Sequence, residues 1–376
     1  MMDEKTLQNK LQEIYEKIDC KLQAECVRVG DKIPYIPYNG KYTVDMREEN
    51  MSFWTNGFWA GMLWQMYHAN GNQMYMETAK KSELVFDEAL EKFTGLHHDV
   101  GFQFLHTAVA DYRLTGNEKS KARALHAATL LAGRFNPIGN FIRAWNLDKT
   151  GWMIVDCLMN IPLLYWAEKE LQDPRFGYIA NQHAHTALKV LLREDGSCNH
   201  IAIFDPATGE PLEFPAGQGY ASGSSWSRGQ SWAIYGFALA YMHTGMKEYL
   251  NAAKQVAHYF IANIAATDYV SLVDFRAPKE PVCWDTTATA CAACGMLQIA
   301  EMVPEYEKAL YHDSAVKMLL ALEEKHCNWN VEEDGIVQDG TVAYGREGEI
   351  HVPIIYGDYF FVEGVLRLLK KDFMIW

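Results

Sequence analysis

The sequence predicts an all-α protein, a closed barrel of six helical hairpins whose active site lies at the long-loop end. Three observations predict it. From Asn56 onward, an apolar helix, a short Gly, Asn or Pro turn and a more amphipathic helix recur five times. A sixth apolar helix, Gly357–Leu369, has no amphipathic partner after it, whereas the first segment, Lys5–Cys26, is amphipathic and has no apolar partner before it. Pairing these two completes the sixth hairpin and closes the ring, with apolar helices inside and amphipathic ones outside. The rival arrangement, an open solenoid, needs polar end caps, and the strongly apolar helix from Tyr356 is a poor one.

The elements follow in order. Lys5–Cys26 carries Leu7, Leu11, Ile14, Ile18 and Leu22 at helical spacing, and Pro34, Pro37 and Gly40 break the pattern after it. Phe58–Tyr67 turns at Asn70-Gly71-Asn72 into Met74–Leu90, and Gly101–Arg113 turns at Thr115-Gly116-Asn117 into Lys119–Phe135. Asp156–Glu168 turns at Asp173-Pro174 into Gly177–Leu192, and Gly229–Tyr241 turns at Thr244-Gly245 into Lys247–Ile264. Thr286–Met302 turns at Pro304-Glu305 into Tyr306–His326. The links that precede the apolar helices are the longer ones: Thr43–Thr55, Thr94–Val100, Asn136–Val155, Arg193–Arg228, Thr267–Asp285 and Asn328–Tyr356. They collect at one end of the barrel, and Arg193–Arg228 is about twice the length at which a structureless loop starts to look functional. Val270–Phe275 and Ile336–Ala343 are expected to add short strands there. One catalytic domain over residues 1–376 is expected.

Composition narrows the partners. The chain is 49% hydrophobic and 13% aromatic, ample for one large core, and its net charge is −14. That charge argues against nucleic acid, whose backbone needs a basic face. The start lacks the pattern of a secretion signal, and no stretch reaches the roughly twenty apolar residues of a membrane span. The eight cysteines read as reduced thiols in a cytoplasmic protein, with Cys291 and Cys294 as core residues. No metal or cofactor is expected. His183 and His185 are at a spacing that faces apart on a helix, and no phosphate-loop or G-x-S-x-G motif occurs. The composition leaves the oligomeric state open.

Chemistry concentrates in the long links. Ala216–Trp232 (A-G-Q-G-Y-A-S-G-S-S-W-S-R-G-Q-S-W) sets tryptophans beside Gln, Ser and a forked cation, a combination suited to a sugar bearing a carboxylate. Eight tryptophans, Trp54, Trp59, Trp64, Trp145, Trp152, Trp226, Trp232 and Trp284, fall at or near the mouth; singly each reads as core, together they favour a carbohydrate. Asp99 and Asp156 stand where apolar helices begin. Each is either an N-cap or an acid whose ionisation is hindered by burial, and Asp285 and Asp358 at equivalent places favour capping for some of the set. If Asp99 and Asp156 face each other, two neighbouring carboxylates can divide into an acid and a base.

These residues resemble the unsaturated glucuronyl hydrolases. The resemblance runs from F-W-T-N-G-F-W-A-G at Phe53–Gly61 to G-D-Y-F-F at Gly357–Phe361, through H-H-D-V-G-F around Asp99, the Asp156 helix start, D-G-S-x-x-H ending at His200 and the Gly217–Trp232 motif. It implies an (α/α)6 barrel that takes an unsaturated uronic-acid di- or oligosaccharide, the product of a polysaccharide lyase. It implies hydration of the 4,5 double bond rather than displacement at the anomeric carbon, with Asp156 as general acid and base and Asp99 aiding charge balance. It further implies Trp54, His98, Trp145, His200, Gln218, Arg228, Trp232 and Tyr356 as sugar contacts, Arg228 meeting the uronate carboxylate with help from His200 and Gln218. Tyr344–His351 offers Arg346 and His351 but also Glu347 and Glu349, which weakens the expectation of sulfated substrates. Alternatives are a hydrolase of unsaturated rhamnogalacturonyl disaccharides, a sugar epimerase or isomerase, and a non-catalytic sugar-binding protein.

Overall fold

The computed structural model describes residues 3–376. Helix α1 (Glu4–Val29) is followed by the short α2 (Met46–Glu49) in the first long link. The pairs are then α3 (Phe58–Asn70) with α4 (Gln73–Lys92), and α5 (Val100–Phe104) and α6 (Ala110–Thr115) with α7 (Glu118–Ala132). Next come α8 (Pro162–Leu171) with α9 (Pro174–Val190), α10 (Ser227–Thr244) with α11 (Lys247–Ile264), α12 (Thr286–Met302) with α13 (Glu305–His326), and finally α14 (Ile355–Leu368). A wider π-type turn over Leu105–Val109 joins α5 and α6 into one inner helix. Inner helices pack on their neighbours in chain order, α14 returns to α3, and α1 packs on both α14 and α4. Both layers therefore close, and the molecule is the (α/α)6 barrel that the recurrence predicts.

Local chemistry sets the hairpin turns. In the first two, a glycine ends the inner helix in the left-handed region, Gly71 at φ 73° and Gly116 at φ 75°. The asparagine that follows then caps the outer helix, Asn72 accepting from Met74 N–H at 3.1 Å and Asn117 from Lys119 N–H at 3.2 Å. Burial separates the layers. Every residue of α10 from Ser227 to Ala240 is buried, whereas α11 buries only Tyr249, Ala252, Ala253, Val256, Ala257, Phe260 and Ile264, a single stripe. At the end away from the long loops, Trp376 stacks on Phe360 with 6.0 Å between centroids and donates its indole N–H to Glu363 at 3.0 Å.

Three expectations are corrected. The third inner helix begins at Pro162, not Asp156; Val155–Met159 is a 3₁₀ turn, and the proline takes a first-turn position, where no backbone N–H is needed. Val270–Phe275 and Ile336–Ala343 form only isolated bridges, such as Leu272 with Trp284 and Gly340 with Val352. The strands lie instead in other links. β1 (Phe135–Asn136) pairs with β2 (Phe141–Ile142), and β3 (Trp152–Ile154), β4 (Ile201–Phe204) and β5 (Pro211–Glu213) form an antiparallel sheet with Trp152 opposite Ile203. Capping by the helix-start aspartates is also not what the structure contains. Asp99 and Asp285 occupy N-cap positions without a side-chain cap bond, and Asp358 lies inside the first turn of α14. Among the described residues, no helix is long and apolar enough to cross a membrane.

Candidate active site

Two links bring the acids together at the mouth. β3 runs straight into the 3₁₀ turn that holds Asp156, and Asp99 sits where the chain bends into α5. His98 stands between them, its Nε2 3.1 Å from Asp156 Oδ1 and 3.2 Å from Asp99 Oδ1. Its Nδ1 lies 2.8 Å from the Ala144 carbonyl, which can only accept, so Nδ1 carries a proton. Nε2, facing two carboxylates, then favours a second proton and the imidazolium. Burial works against that charge, but Asp99 and Asp156 outweigh it and raise the pKa of His98.

The carboxylates are pushed apart. For Asp99, burial opposes ionisation but His98 and His97 prevail and hold the group below its ordinary value. For Asp156, burial and then the neighbouring Asp99 charge prevail over His98, and the group is raised. Asp156 also keeps an open edge, with 18% of its side chain exposed against 6% for Asp99. Asn160 donates to Asp99 Oδ1 at 3.2 Å, and His97 Nδ1 lies 3.2 Å from Asp99 Oδ2 at an angle outside hydrogen-bond geometry. The ring nitrogens of His97 and His98 and a carboxylate oxygen of Asp99 come within 4.8 Å of one another.

An aromatic floor adjoins the acids. Trp54 lies 4.8 Å from Tyr356 and meets Trp232 edge-on at 6.3 Å, with Phe102 of α5 5.6 Å from Trp54 and 5.3 Å from Trp232. Trp232 and Tyr356 are buried, so the ring a ligand can reach first is the half-buried Trp54. Trp145, also half-buried, follows the residue that anchors His98 and packs 5.4 Å from Trp152. On the far wall, His200 lies 4.2 Å from the Trp226 ring. His200 Nδ1 faces both the Gln218 backbone N–H at 3.1 Å and the Ala216 carbonyl at 3.2 Å. Burial, with Arg228 adding to it, pushes His200 down to about 3.

The structure gives Arg228, expected at the uronate carboxylate, protein partners of its own. Arg228 is buried and already engaged: Nη1 donates to Asp285 at 2.6 Å and to the Thr341 carbonyl at 2.7 Å, and Nη2 to the Val342 carbonyl at 2.6 Å. The Gln218 amide also donates to the Val342 carbonyl, at 2.6 Å, and so joins two mouth loops. His200, held neutral by burial, offers a hydrogen-bonding ring nitrogen rather than a charge. Arg228 lies 4.5 Å from the Trp226 ring and 5.4 Å from the Tyr356 ring, so it supports the wall from behind.

The structure therefore brings Asp99, His98 and Asp156 into direct contact, joins Trp54, Trp232 and Tyr356 into the floor, and sets His200, Gln218 and Arg228 behind one wall. Two residues escaped sequence reasoning. Asn160 stands four places after Asp156, a spacing that marks one helical face and offered a signal. Asp274 had none: it accepts from Tyr220 N–H, Ser224 Oγ, Ser225 N–H and Arg276 N–H at 2.7–3.1 Å and so fixes the Ala216–Trp232 stretch from a distant link.

A raised acid beside a ring-lined floor suits sugar chemistry, and the comparisons with known proteins supply the class. The model for Glycosyl Hydrolase Family 88 matches residues 34–360, so the chain is a glycoside hydrolase of that family. It is 35% identical over 353 residues to the unsaturated glucuronyl hydrolase of Bacillus sp. (strain GL1), covering 91% of this chain and 92% of that protein. It is 33% identical over 332 residues to the unsaturated chondroitin disaccharide hydrolase of Streptococcus pneumoniae (strain ATCC BAA-255 / R6), covering 86% and 83%. The crystal structure of the Bacillus sp. GL1 enzyme matches with a TM-score of 0.89 at 33% identity over 94% of this chain and 96% of that one. An unsaturated glucuronyl hydrolase specific for heparin matches with a TM-score of 0.86 at 27% identity over 97% of each chain. The chain belongs to the unsaturated glucuronyl hydrolase family.

Proposed function

We propose that the protein releases the non-reducing-end 4,5-unsaturated glucuronic acid from lyase-generated glycosaminoglycan oligosaccharides of chondroitin, hyaluronan or heparin type. The observation that carries the reading is the inequivalence of the two carboxylates: Asp156 is raised and open-edged, Asp99 lowered and enclosed. Protonated Asp156 delivers its proton to carbon 4 of the unsaturated sugar. Positive charge develops at carbon 5 and the ring oxygen, and ionised Asp99 offsets it across His98. Asp156, now a carboxylate, takes a proton from water as the water oxygen bonds to carbon 5. The resulting hemiketal opens to a ketone at carbon 5, leaving a hemiacetal at carbon 1 that collapses to an aldehyde and the free leaving sugar. One water is consumed, and Asp156 ends protonated. The anomeric carbon is never attacked, so the separation of the carboxylates carries no retaining or inverting outcome.

The names of the relatives support the substrate class, and Trp54 and Trp145 supply faces on which sugar rings can stack. Arg346, the exposed cation of the last mouth loop, pairs with Glu349 at 3.0 Å, which favours unsulfated over sulfated leaving sugars. We place the activity in one catalytic domain in the cytoplasm, a reading that the eight free cysteines support. The test is loss of the double-bond absorbance on a panel of unsaturated disaccharides. Turnover of unsulfated chondroitin or hyaluronan disaccharide is expected; turnover confined to unsaturated galacturonyl-rhamnose would overturn the assignment.

A further inference from the structure

We infer that Asn160 is a positioning residue that, beside His97, adds to the inequality of Asp99 and Asp156 and so helps assign which of them holds the proton. The inference rests on the acid–base reading of that pair. Both carboxylates lie at almost the same distance from His98 Nε2, 3.2 and 3.1 Å, so the histidine alone separates them little. The aligned hydrogen bond from that ring goes to Asp156. Asp99 receives its aligned side-chain hydrogen bond from Asn160 Nδ2, at 3.2 Å.

The amide of Asn160 is fully engaged and fully buried. Nδ2 also donates to the Asp156 backbone carbonyl at 3.1 Å, and Oδ1 accepts from Phe102 N–H at 2.7 Å. One side chain thus ties the start of α5 to the turn that carries Asp156. The fit is close: a Cβ on Gly101 would come within 2.4 Å of Asn160 Cα, so the two backbones meet only because Gly101 has none. The asymmetry is chemical as well as spatial. Asn160 gives Asp99 a donor that stabilises its anion, and gives the Asp156 carboxylate none. The other titratable or charged groups that bear on Asp99 are His97, His98, Asp156, Cys157 and Arg134. Among the described titratable groups, His98 alone contacts both carboxylates directly.

The test is the pH dependence of kcat and kcat/KM for Asn160→Leu, which keeps a similar volume without a donor or a charge, and Asn160→Ala, which removes the amide, on an unsaturated disaccharide that the wild type cleaves. Activity needs Asp99 ionised and Asp156 protonated. Loss of the donor raises Asp99, so the acid limb moves to higher pH while the alkaline limb stays near its place. KM is expected to change less than about threefold, and kcat to fall up to about 100-fold through misplacement of the pair. Should Asn160→Leu fail to fold, the carboxyl carbon of Asp99 is titrated by NMR in Asn160→Ala, with an upward shift expected. A lower kcat with both limbs, and the Asp99 titration, unmoved would overturn the inference and leave Asn160 a packing residue. Asp156→Asn separates this result from its premise: an active Asp156→Asn sinks the acid–base reading, whereas an inactive one beside unmoved limbs in the Asn160 variants sinks only the role of Asn160.

Discussion

Asp99 and Asp156 on one side of the mouth, and Asp285 and Asp358 on the other, occupy comparable places in their repeats but differ in what surrounds them. Asp285 is closed off by Arg228 at 2.6 Å and Thr287 Oγ1 at 2.6 Å. Asp358 accepts from Ile336 N–H at 3.0 Å and Val337 N–H at 2.7 Å and so anchors the last mouth loop. Both are fully buried and have a fixed set of partners, whereas Asp156 shares one histidine with a second acid and keeps an edge open. The repeat supplies carboxylates at the mouth, and their partners decide which of them build and which of them react.

The sharpest way to break this contrast is Asp156→Asn, which keeps the shape and removes the proton. Turnover should fall by about 100- to 10,000-fold while calorimetry still detects disaccharide binding. An active Asp156→Asn enzyme would put the reacting group elsewhere. Asp285→Ala should act on stability instead. It leaves the Arg228 charge buried without its carboxylate, at a cost of about 3–5 kcal/mol measured by denaturant unfolding. If Asp285→Ala folded as well as wild type and lost only binding, Asp285 would belong with the reacting pair.

A smaller effect lies in the pH profile of the wild type. The folded-state value of Asp156 is raised, so its proton persists above the ordinary carboxylate range and is lost as pH rises further. Activity should therefore decline on the alkaline side at a pH above that range, and a decline within the ordinary range would contradict the shift. The smallest effect concerns Asp358, which burial pushes up to about 6 against the pull of the Val337 and Ile336 N–H groups. Because the folded value exceeds the unfolded one, native Asp358 binds its proton more tightly. Wild-type stability should then fall relative to Asp358→Asn as pH rises from about 4 to 6, and the gap should stay constant above. Thermal melts across that window check it.

The ring could be read from the chain because its signals are local. Gly71-Asn72 and Gly116-Asn117 each contain a helix stop and the next helix start within two residues, and α12 has the predicted bounds of Thr286–Met302. The start of α8 could not, because Asp156–Ile161 is apolar enough for a helix but is held in a tighter turn by its attachment to β3 and by Pro162 behind it. The pairing of the two acids was suggested by their repeat positions; their inequality was not, since it depends on burial and on an amide that reaches across to another helix. The engagement of Arg228 by Asp285 was hidden for the same reason. Its partner Asp285 is 57 residues away, and nothing around either residue announces the bond.

The β3–β4–β5 sheet has a mechanical consequence. Ile154 pairs with Ile201, and Val155 N–H donates to the His200 carbonyl at 3.0 Å, so the turn that carries Asp156 and the wall that carries His200 are adjacent ends of one ribbon. Thermal motion of one carries the other along, and their mutual spacing is conserved while the surrounding loops breathe. The Asp205–Glu210 tip of that ribbon and the exposed Gly345–Gly348 turn lie outside this rigid unit. Changes in length or charge there can retune which leaving sugar is accepted without recalibrating the proton transfer, so specificity and chemistry can evolve at different rates on the same barrel.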